Sequence, residues 1–392
     1  MKILYLVSGL GPPAGWGTEY IQDLIFHLSD KGIHATIINP ILSHTHPEWK
    51  KWSINMEKKH NIKFININPP NWIKNNFYLY LILLPFITTP ITFYKLYKQR
   101  YDLVHEFSST PIILIRSLFI RIFFKVPIIF THSVYNNTIL GTFFWFKIFD
   151  FANIYIIQSK EILNKLKKIG IRNTKLNLIY PCLNISKFNK KRNMIASRKL
   201  LKLPANKFIY SYFGSLTTEK GVNDIIKACK LIPSKFQKNI LLYLFVVWKG
   251  SNEHKKLKNS IYKANLPFLK LIESYVDIPT LLNASDAVIF PQRTGMGTTI
   301  PPLSIIEALI AKKKIIATNI IGVKEWTKTG SLTIIPPNNP QALLNSILKI
   351  QFKKTKKLKY LIPKLDIETI SSKYYKQYFS LNSGFSNKQP TQ

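Results

Sequence analysis

The sequence predicts an α/β protein made of two Rossmann-like, doubly wound parallel-sheet domains facing a cleft. Strand-like apolar runs alternate with helical periodicity along almost the whole chain, the pattern of βαβ units. The runs are continuously apolar instead of alternating, as in parallel strands covered on both faces. The pattern also breaks once and restarts within 392 residues, more than one compact core usually holds.

In chain order, "KILYLVS" leads into the helical stretch "TEYIQDLIFHLSDKG" and then "HATIIN". "KFININ", "YDLVHE", "VPIIFTH" and "NIYIIQS" continue the first domain, 1–184. Residues 185–207 hold eight basic residues and no acid, and read as an exposed connector. The pattern then restarts with "FIYSYFG", "ILLYLFVV", "LLNASDAVIFP", "KIIATN" and "LTIIP", so 185–365 is a second domain of similar size. Residues 366–382 form a closing helix, and 383–392 a frayed tail. In this architecture ligands bind outside the carboxyl ends of the strands.

Hydrophobic residues make up 46% and aromatics 13%, a globular composition. Two cysteines, Cys182 and Cys229, stand in no metal-like spacing. They suit a reducing compartment and exclude a disulfide scaffold. The N-terminus reads as a strand and not as a signal peptide, so a cytoplasmic protein is expected. Lys plus Arg number 56 against 19 Asp plus Glu, a net charge of +37. Nucleic acid, an anionic membrane surface and biased base composition are the three explanations. The lysines are scattered through helices without the aromatic interleaving of a single-strand binder, so no nucleic-acid partner is expected. Residues 75–94 carry no charge over a length that could span a bilayer. Pro85, Pro90 and three threonines interrupt them, predicting a buried or interfacial pair of short helices.

Four stretches carry chemistry. In "GLGPPAGWGTE", Gly9, Gly11 and Ala14 satisfy a dinucleotide spacing, but the second strand ends in Asn39-Pro40 with no acid for a ribose. That argues against a nicotinamide or flavin enzyme. Gly15, Gly17 and Thr18 precede a helix, where exposed amides meet an anion. Gly214 ends a strand, and Lys220-Gly221 opens a helix, an arrangement that binds phosphate. In "TGMGTTIPPLSIIEALIAKKK" the proline pair starts a helix, so the amides of Leu303 and Ser304 point outward, with Glu307 one turn deeper. Outward amides suit a diphosphate, and a nearby carboxylate accepts sugar hydroxyls, which places Glu307 on a ribose at the cleft. His132, at a strand end in "FTHSVYN", is the candidate from the first domain. Glu106 is a weaker one, and Asp102 reads as structural.

These stretches resemble the family 4 retaining glycosyltransferases of GT-B fold. "GWGTEYIQDLIFHLSDKGIHATII", "YDLVHEFSSTP", "VPIIFTHS", "YIIQS" and "LNLIYPCLNISKF" follow the family's order. "GSLTTEKGVNDIIKA", "LLNASDAVIFPQ", "IPPLSIIEAL" and "KIIATNIIGVKEW" then match its C-terminal domain, to about residue 350. The resemblance implies that Gly15 and Gly17 lie against the donor's phosphates or sugar, with His132 beside the donor sugar. It implies that Lys220 neutralises the leaving diphosphate, that Glu307 binds the ribose, and that residues 320–325 form the loop beneath the nucleotide. Two positions depart from it. Ser215 stands where the family pairs an arginine with the lysine, and Thr299 where it has a glutamate eight residues before Glu307. Arg293 or a lysine is the candidate replacement for the absent cation.

The expected function is retaining transfer from a nucleotide-diphosphate sugar to a sugar or lipid-linked acceptor, without a metal ion or cofactor. No acid pair resembles an Asp-x-Asp metal site; "SDA" at 285–287 has one acid. The basic surface and residues 75–94 suggest contact with an anionic membrane at its inner face. A catalytically silent relative and a sugar-nucleotide epimerase are the alternatives.

Overall fold

The computed structural model describes residues 1–7, 9–11, 19–41, 48–74, 77–108, 111–132, 152–189, 193–246, 252–295, 299–329, 331–351 and 364–386. The chain divides into two compact units. One comprises 1–183, 296–300 and 364–392, and the other 184–295 and 301–363.

The first unit is built on a seven-stranded, all-parallel sheet. Its strands are β1 (Lys2–Leu6), β2 (His34–Pro40), β3 (Ile62–Ile67), β4 (Leu103–Ser108), β5 (Ile128–His132), β6 (Ile154–Ile157) and β7 (Leu176–Leu178). Their order is β3-β2-β1-β4-β5-β6-β7, so the strand sequence reverses between β1 and β4. Ile3, Leu4, Tyr5, Ile128, Ile129, Phe130, Ile156 and Ile157 are fully buried, as their uninterrupted apolar runs require. β7 escapes a reading by apolar runs, because it has three half-buried residues at a sheet edge.

Residues 77–98 form one helix instead of the expected pair; 75 and 76 lie outside the described residues. Pro85 and Pro90 each remove an N–H from the helical ladder. The threonine hydroxyls offset this by donating to main-chain oxygens: Thr88 to Leu84 at 2.8 Å, Thr89 to Pro85 at 2.5 Å and Thr92 to Thr88 at 2.8 Å. Leu84, Thr88, Thr92 and Leu96 are buried at four-residue spacing, so one stripe anchors the helix across both prolines.

The closing helix runs from Ile367 to Ser386, past the expected end at 382. It packs on the helix Glu19–Asp30, where Glu368 pairs with His27 at 3.3 Å and Lys31 at 3.4 Å. Its buried Tyr374 and Tyr378 lie on the sheet face of His105.

The second unit has six parallel strands: β8 (Phe208–Phe213), β9 (Ile240–Phe245), β10 (Leu269–Ile272), β11 (Ala287–Phe290), β12 (Lys314–Thr318) and β13 (Leu332–Ile335). The order β10-β9-β8-β11-β12-β13 reverses between β8 and β11. β10, like β7, is a short edge strand with a polar interruption, "LKLI". The expected exposed connector is instead partly built into this unit. Helices Ser186–Asn189 and Met194–Leu200 occupy it, and Arg198 is buried. The Arg198 guanidinium donates to Ala284 O at 2.9 Å, Ala205 O at 2.7 Å, Lys207 O at 3.1 Å and Asp286 Oδ2 at 2.6 Å. Four acceptors around one forked cation turn a run of positive charge into a fastening.

Candidate active site

In the second unit the candidate residues gather where the strand order reverses, the place where a doubly wound sheet opens for a ligand. β8 is followed by Gly214, whose φ of +152° no side-chain-bearing residue adopts easily. The Tyr212 hydroxyl donates to Ser215 O at 2.5 Å, which holds the exit of the strand. The chain then turns: Lys220 N–H donates to Thr217 O at 3.2 Å, and Gly221 N–H to Thr218 O at 2.9 Å.

Gly221 caps the helix Val222–Lys230 in the left-handed region, with φ +74°. A Cβ there would lie 1.8 Å from the carbonyl oxygen of Pro291, the residue after β11. The turn after β8 and the loop after β11 are therefore in direct backbone contact, and only glycine allows the approach. Lys220 is half-buried beside that contact. Burial pushes its amine down to about 8, against the opposing effect of the Glu219 charge.

The loop after β11 braces this turn. Arg293 N–H donates to Glu219 O at 2.8 Å, and the Thr294 hydroxyl to Glu219 Oε2 at 2.7 Å. The Arg293 guanidinium grips Asp224, in the first turn of the capped helix, through Nε at 3.0 Å and Nη2 at 2.8 Å. Arg293 is thus bound to a carboxylate and is not a spare cation for a ligand. Sequence reading singled it out for the wrong task and passed over Asp224, since nothing local marks an ion pair spanning 69 residues.

The helix Leu303–Ile310 starts from Pro302, whose carbonyl accepts from Ile305 N–H at 3.1 Å and Ile306 N–H at 3.4 Å. The prolines thus precede the helix instead of forming its first turn. Ile305, Ile306, Ala308 and Leu309 are buried, while Leu303, Ser304, Glu307 and Ile310 are half-buried. That spacing is one helical stripe, so Glu307 stays clear of the apolar interior and shares a face with the two residues at the helix start. Thr299 is half-buried and groups with the first unit.

In the first unit, His132 is the last residue of β5, in register with Ser108 of β4 and Ile157 of β6. Burial pushes its imidazole down to about 4, so it is neutral near pH 7. Glu106 lies on the same face, where Arg116 donates to Oε1 at 2.7 Å and to Oε2 at 2.6 Å and to Thr88 Oγ1 at 2.5 Å. This buried ion pair between β4 and the overlying helices removes Glu106 from the candidates. Asp102 accepts the Lys2 N–H at 2.7 Å, a structural role.

Gly9 and Gly11 have φ of +118° and +141°, and Asn39 pins Leu10 between them by accepting from its N–H at 2.6 Å. The residue at the dinucleotide ribose position is thereby engaged with the loop. Gly15, Gly17 and Thr18 lie outside the described residues. Among the described residues no group of three or more His, Cys, Asp or Glu could hold a metal ion.

Residues 193–364 match the family model of glycosyl transferases group 1, and the match begins at Asn193, which caps the helix carrying Arg198. Over those residues the second unit is similar to the group 1 glycosyl transferases. The chain is 24% identical over 278 residues to the uncharacterized glycosyltransferase MJ1069 of Methanocaldococcus jannaschii, covering 66% of this chain and 68% of that protein. The chain also resembles the solved structure of Anabaena Alr3699/HepE in complex with UDP and glucose. The TM-score is 0.70 at 19% identity, covering 97% of this chain and 100% of the other. A glycosyltransferase from Rickettsia africae gives 0.70 at 19% identity over 97% and 98% of the two chains. WaaG, a glycosyltransferase involved in lipopolysaccharide biosynthesis, gives 0.64 at 12% over 99% and 95%. These likenesses establish the GT-B fold. Within the matched residues, Lys220, Glu307, Leu303 and Ser304 follow the carboxyl ends of β8 and β11, the side on which this fold binds ligands.

Proposed function

We propose that the protein is a retaining, metal-independent hexosyltransferase. It moves a sugar from a nucleotide-diphosphate sugar to a lipid-linked acceptor or surface polysaccharide precursor at the cytoplasmic side of a membrane. The observation that carries the reading is Lys220. It is a half-buried lysine at the start of a helix, at the reversal point of the second sheet, on a turn braced by the neighbouring loop. Such a cation sits where charge develops on a departing diphosphate, and its fixed position means little reorganisation as the bond breaks. Glu307, on the outward stripe of its helix, accepts hydroxyl donors of the nucleotide ribose. The acceptor hydroxyl attacks from the leaving-group face, so the chain supplies no nucleophile. His132 enters through the family resemblance, as a neutral imidazole beside the donor sugar. The complexes of HepE with UDP and with UDP-glucose support a UDP-sugar as the donor.

A second reading, a silent relative that binds nucleotide sugar without turnover, is favoured by one observation. The cation absent at Ser215 is not replaced by Arg293, which Asp224 holds.

Thermal stabilisation by UDP, GDP, ADP and their sugars tests the first step. A ligand at a hundredfold its dissociation constant stabilises by about 2.7 kcal/mol. The reading expects one nucleotide sugar to stabilise the wild type, and Lys220→Ala and Glu307→Ala to lose the effect. No stabilisation by any of them would remove the donor assignment. Binding without transfer to any acceptor would select the silent relative.

A further inference from the structure

We propose that the outward face of helices 77–98 and 111–124 in the first unit docks on an anionic lipid bilayer. Both helices belong to the first unit, and the inference does not rest on the donor's identity.

The two helices lie side by side in the same direction: Thr88 meets Arg116, and further along Phe93 meets Phe124, with ring centroids 5.2 Å apart. Their inner sides are occupied by the Glu106–Arg116 pair and the buried stripe through Thr88 and Thr92. Their outer sides are apolar where a surface helix is ordinarily charged. On the first, Phe86 is 64% exposed, Tyr94 58% and Tyr97 80%. On the second, Phe119 and Phe123 stack at 5.9 Å, and Phe123 is 66% and Ile122 56% exposed. Six large apolar side chains on two adjacent helices exceed the scattered singles normal for a soluble surface.

Charge selects the occupant. From Lys58 to Phe149 the sequence holds eleven Lys and Arg but two acids, Asp102 and Glu106. Both are engaged, by the Lys2 amide and by Arg116. Lys98, Arg100 and Lys125 are exposed where the two helices end. Beyond Tyr97 the chain borders a hollow whose lining includes Lys2, Lys63 and Arg100. Aromatic side chains beside unopposed cations are what an anionic headgroup region receives, with rings at the acyl boundary and ammonium groups among phosphates. Among the described residues no helix is long and apolar enough to cross a membrane, so the contact lies in the interface plane.

The test is co-flotation of the full chain with phosphatidylcholine vesicles and with equimolar phosphatidylcholine–phosphatidylglycerol vesicles, at low and high salt. The wild type is expected to float with the anionic vesicles at low salt and not with the neutral ones. Phe119→Ser/Ile122→Ser/Phe123→Ser and, separately, Phe86→Ser/Tyr97→Ser are expected to bind at least about tenfold more weakly with unchanged melting temperatures, as exposed positions allow. Lys98→Glu/Arg100→Glu is expected to lose most of the preference for anionic lipid. The proposal is overturned if the wild type stays in the soluble fraction, or if every variant binds as it does. It is also overturned if light scattering shows a wild-type dimer that the serine variants dissociate, since the face would then serve a second copy.

Discussion

Arg293 holds both carboxylate oxygens of Asp224, with Nε at 3.0 Å and Nη2 at 2.8 Å, and so ties the loop after β11 to the first turn of the helix that follows Lys220. Asp224 is buried and Arg293 half-buried, so removing the cation strands a carboxylate in a poorly solvated place. Arg293→Ala should lower stability by about 2 kcal/mol, read as a shift in the urea midpoint. Arg293→Lys should recover only part of it, because an ammonium cannot make the two-pronged contact. An unchanged midpoint for Arg293→Ala would mean that the loop is held by its backbone bonds alone.

Gly221 and Gly32 separate two costs of a side chain. Gly32 has φ +96° and open space where a Cβ would stand, whereas Gly221 has φ +74° and Pro291 O at 1.8 Å from that position. Gly32→Ala should cost about 1 kcal/mol, from backbone conformation alone. Gly221→Ala must in addition push two loops apart, and should cost more than about 3 kcal/mol or prevent folding. Equal melting temperatures for the two variants would contradict the close approach.

The lowered Lys220 amine makes diphosphate binding depend on pH. Without ligand, the side chain loses its proton near pH 8; a bound diphosphate favours the charged form, so binding draws a proton in above that pH. Calorimetry with UDP in buffers of different ionisation enthalpy should show proton uptake at about pH 8.5 and an affinity falling by up to about tenfold per unit above pH 8. Lys220→Gln should bind weakly, with no such uptake.

Acid should weaken the first unit. Burial pushes His132 down to about 4 and His105 well below the ordinary imidazole range. Between pH 6.5 and those values the unfolded chain takes up protons that the folded chain does not. Stability is therefore full above the ordinary imidazole pKa and falls as pH drops, by about 1.4 kcal/mol per unit for each histidine. Urea midpoints measured from about pH 7 to about pH 5 check this, and His105→Asn should flatten the slope by about half.

Tyr378 joins the closing helix to the sheet. Its hydroxyl is 2.7 Å from His105 Nδ1, and His105 Nε2 is 2.8 Å from Thr131 Oγ1, beside His132. Tyr378→Phe should cost about 1 to 2 kcal/mol, since it leaves a buried imidazole nitrogen short of a partner. Hydrogen exchange should show faster opening of helix 367–386, and unaltered exchange there would place the anchor elsewhere.

Most of the strands could be anticipated because parallel strands buried on both faces need uninterrupted apolar runs. β7 and β10 could not, because edge strands of three and four residues need only partial burial. The helix at 77–98 reads as two because prolines punctuate sequence locally; Thr88, Thr89 and Thr92 keep it whole through bonds to main-chain oxygens. The basic stretch at 185–207 reads as solvent-exposed because charge usually is. Arg198 is the exception, since two oxygens of its own stretch and two from Ala284 and Asp286 converge on it.

By itself the sequence determined the two sheets, and it put Lys220-Gly221 at a helix start after a strand and Glu307 one turn into another helix. Those features follow from periodicity and turn chemistry, which act over a few residues. Only the tertiary structure decided which charges are engaged: Arg293 with Asp224, Arg116 with Glu106, and Arg198 with Asp286. It also decided that Glu307 shares a half-buried stripe with Leu303 and Ser304. Burial and pairing depend on strand order and on which helix covers which face, and these bring together groups such as Arg198 and Asp286, 88 residues apart.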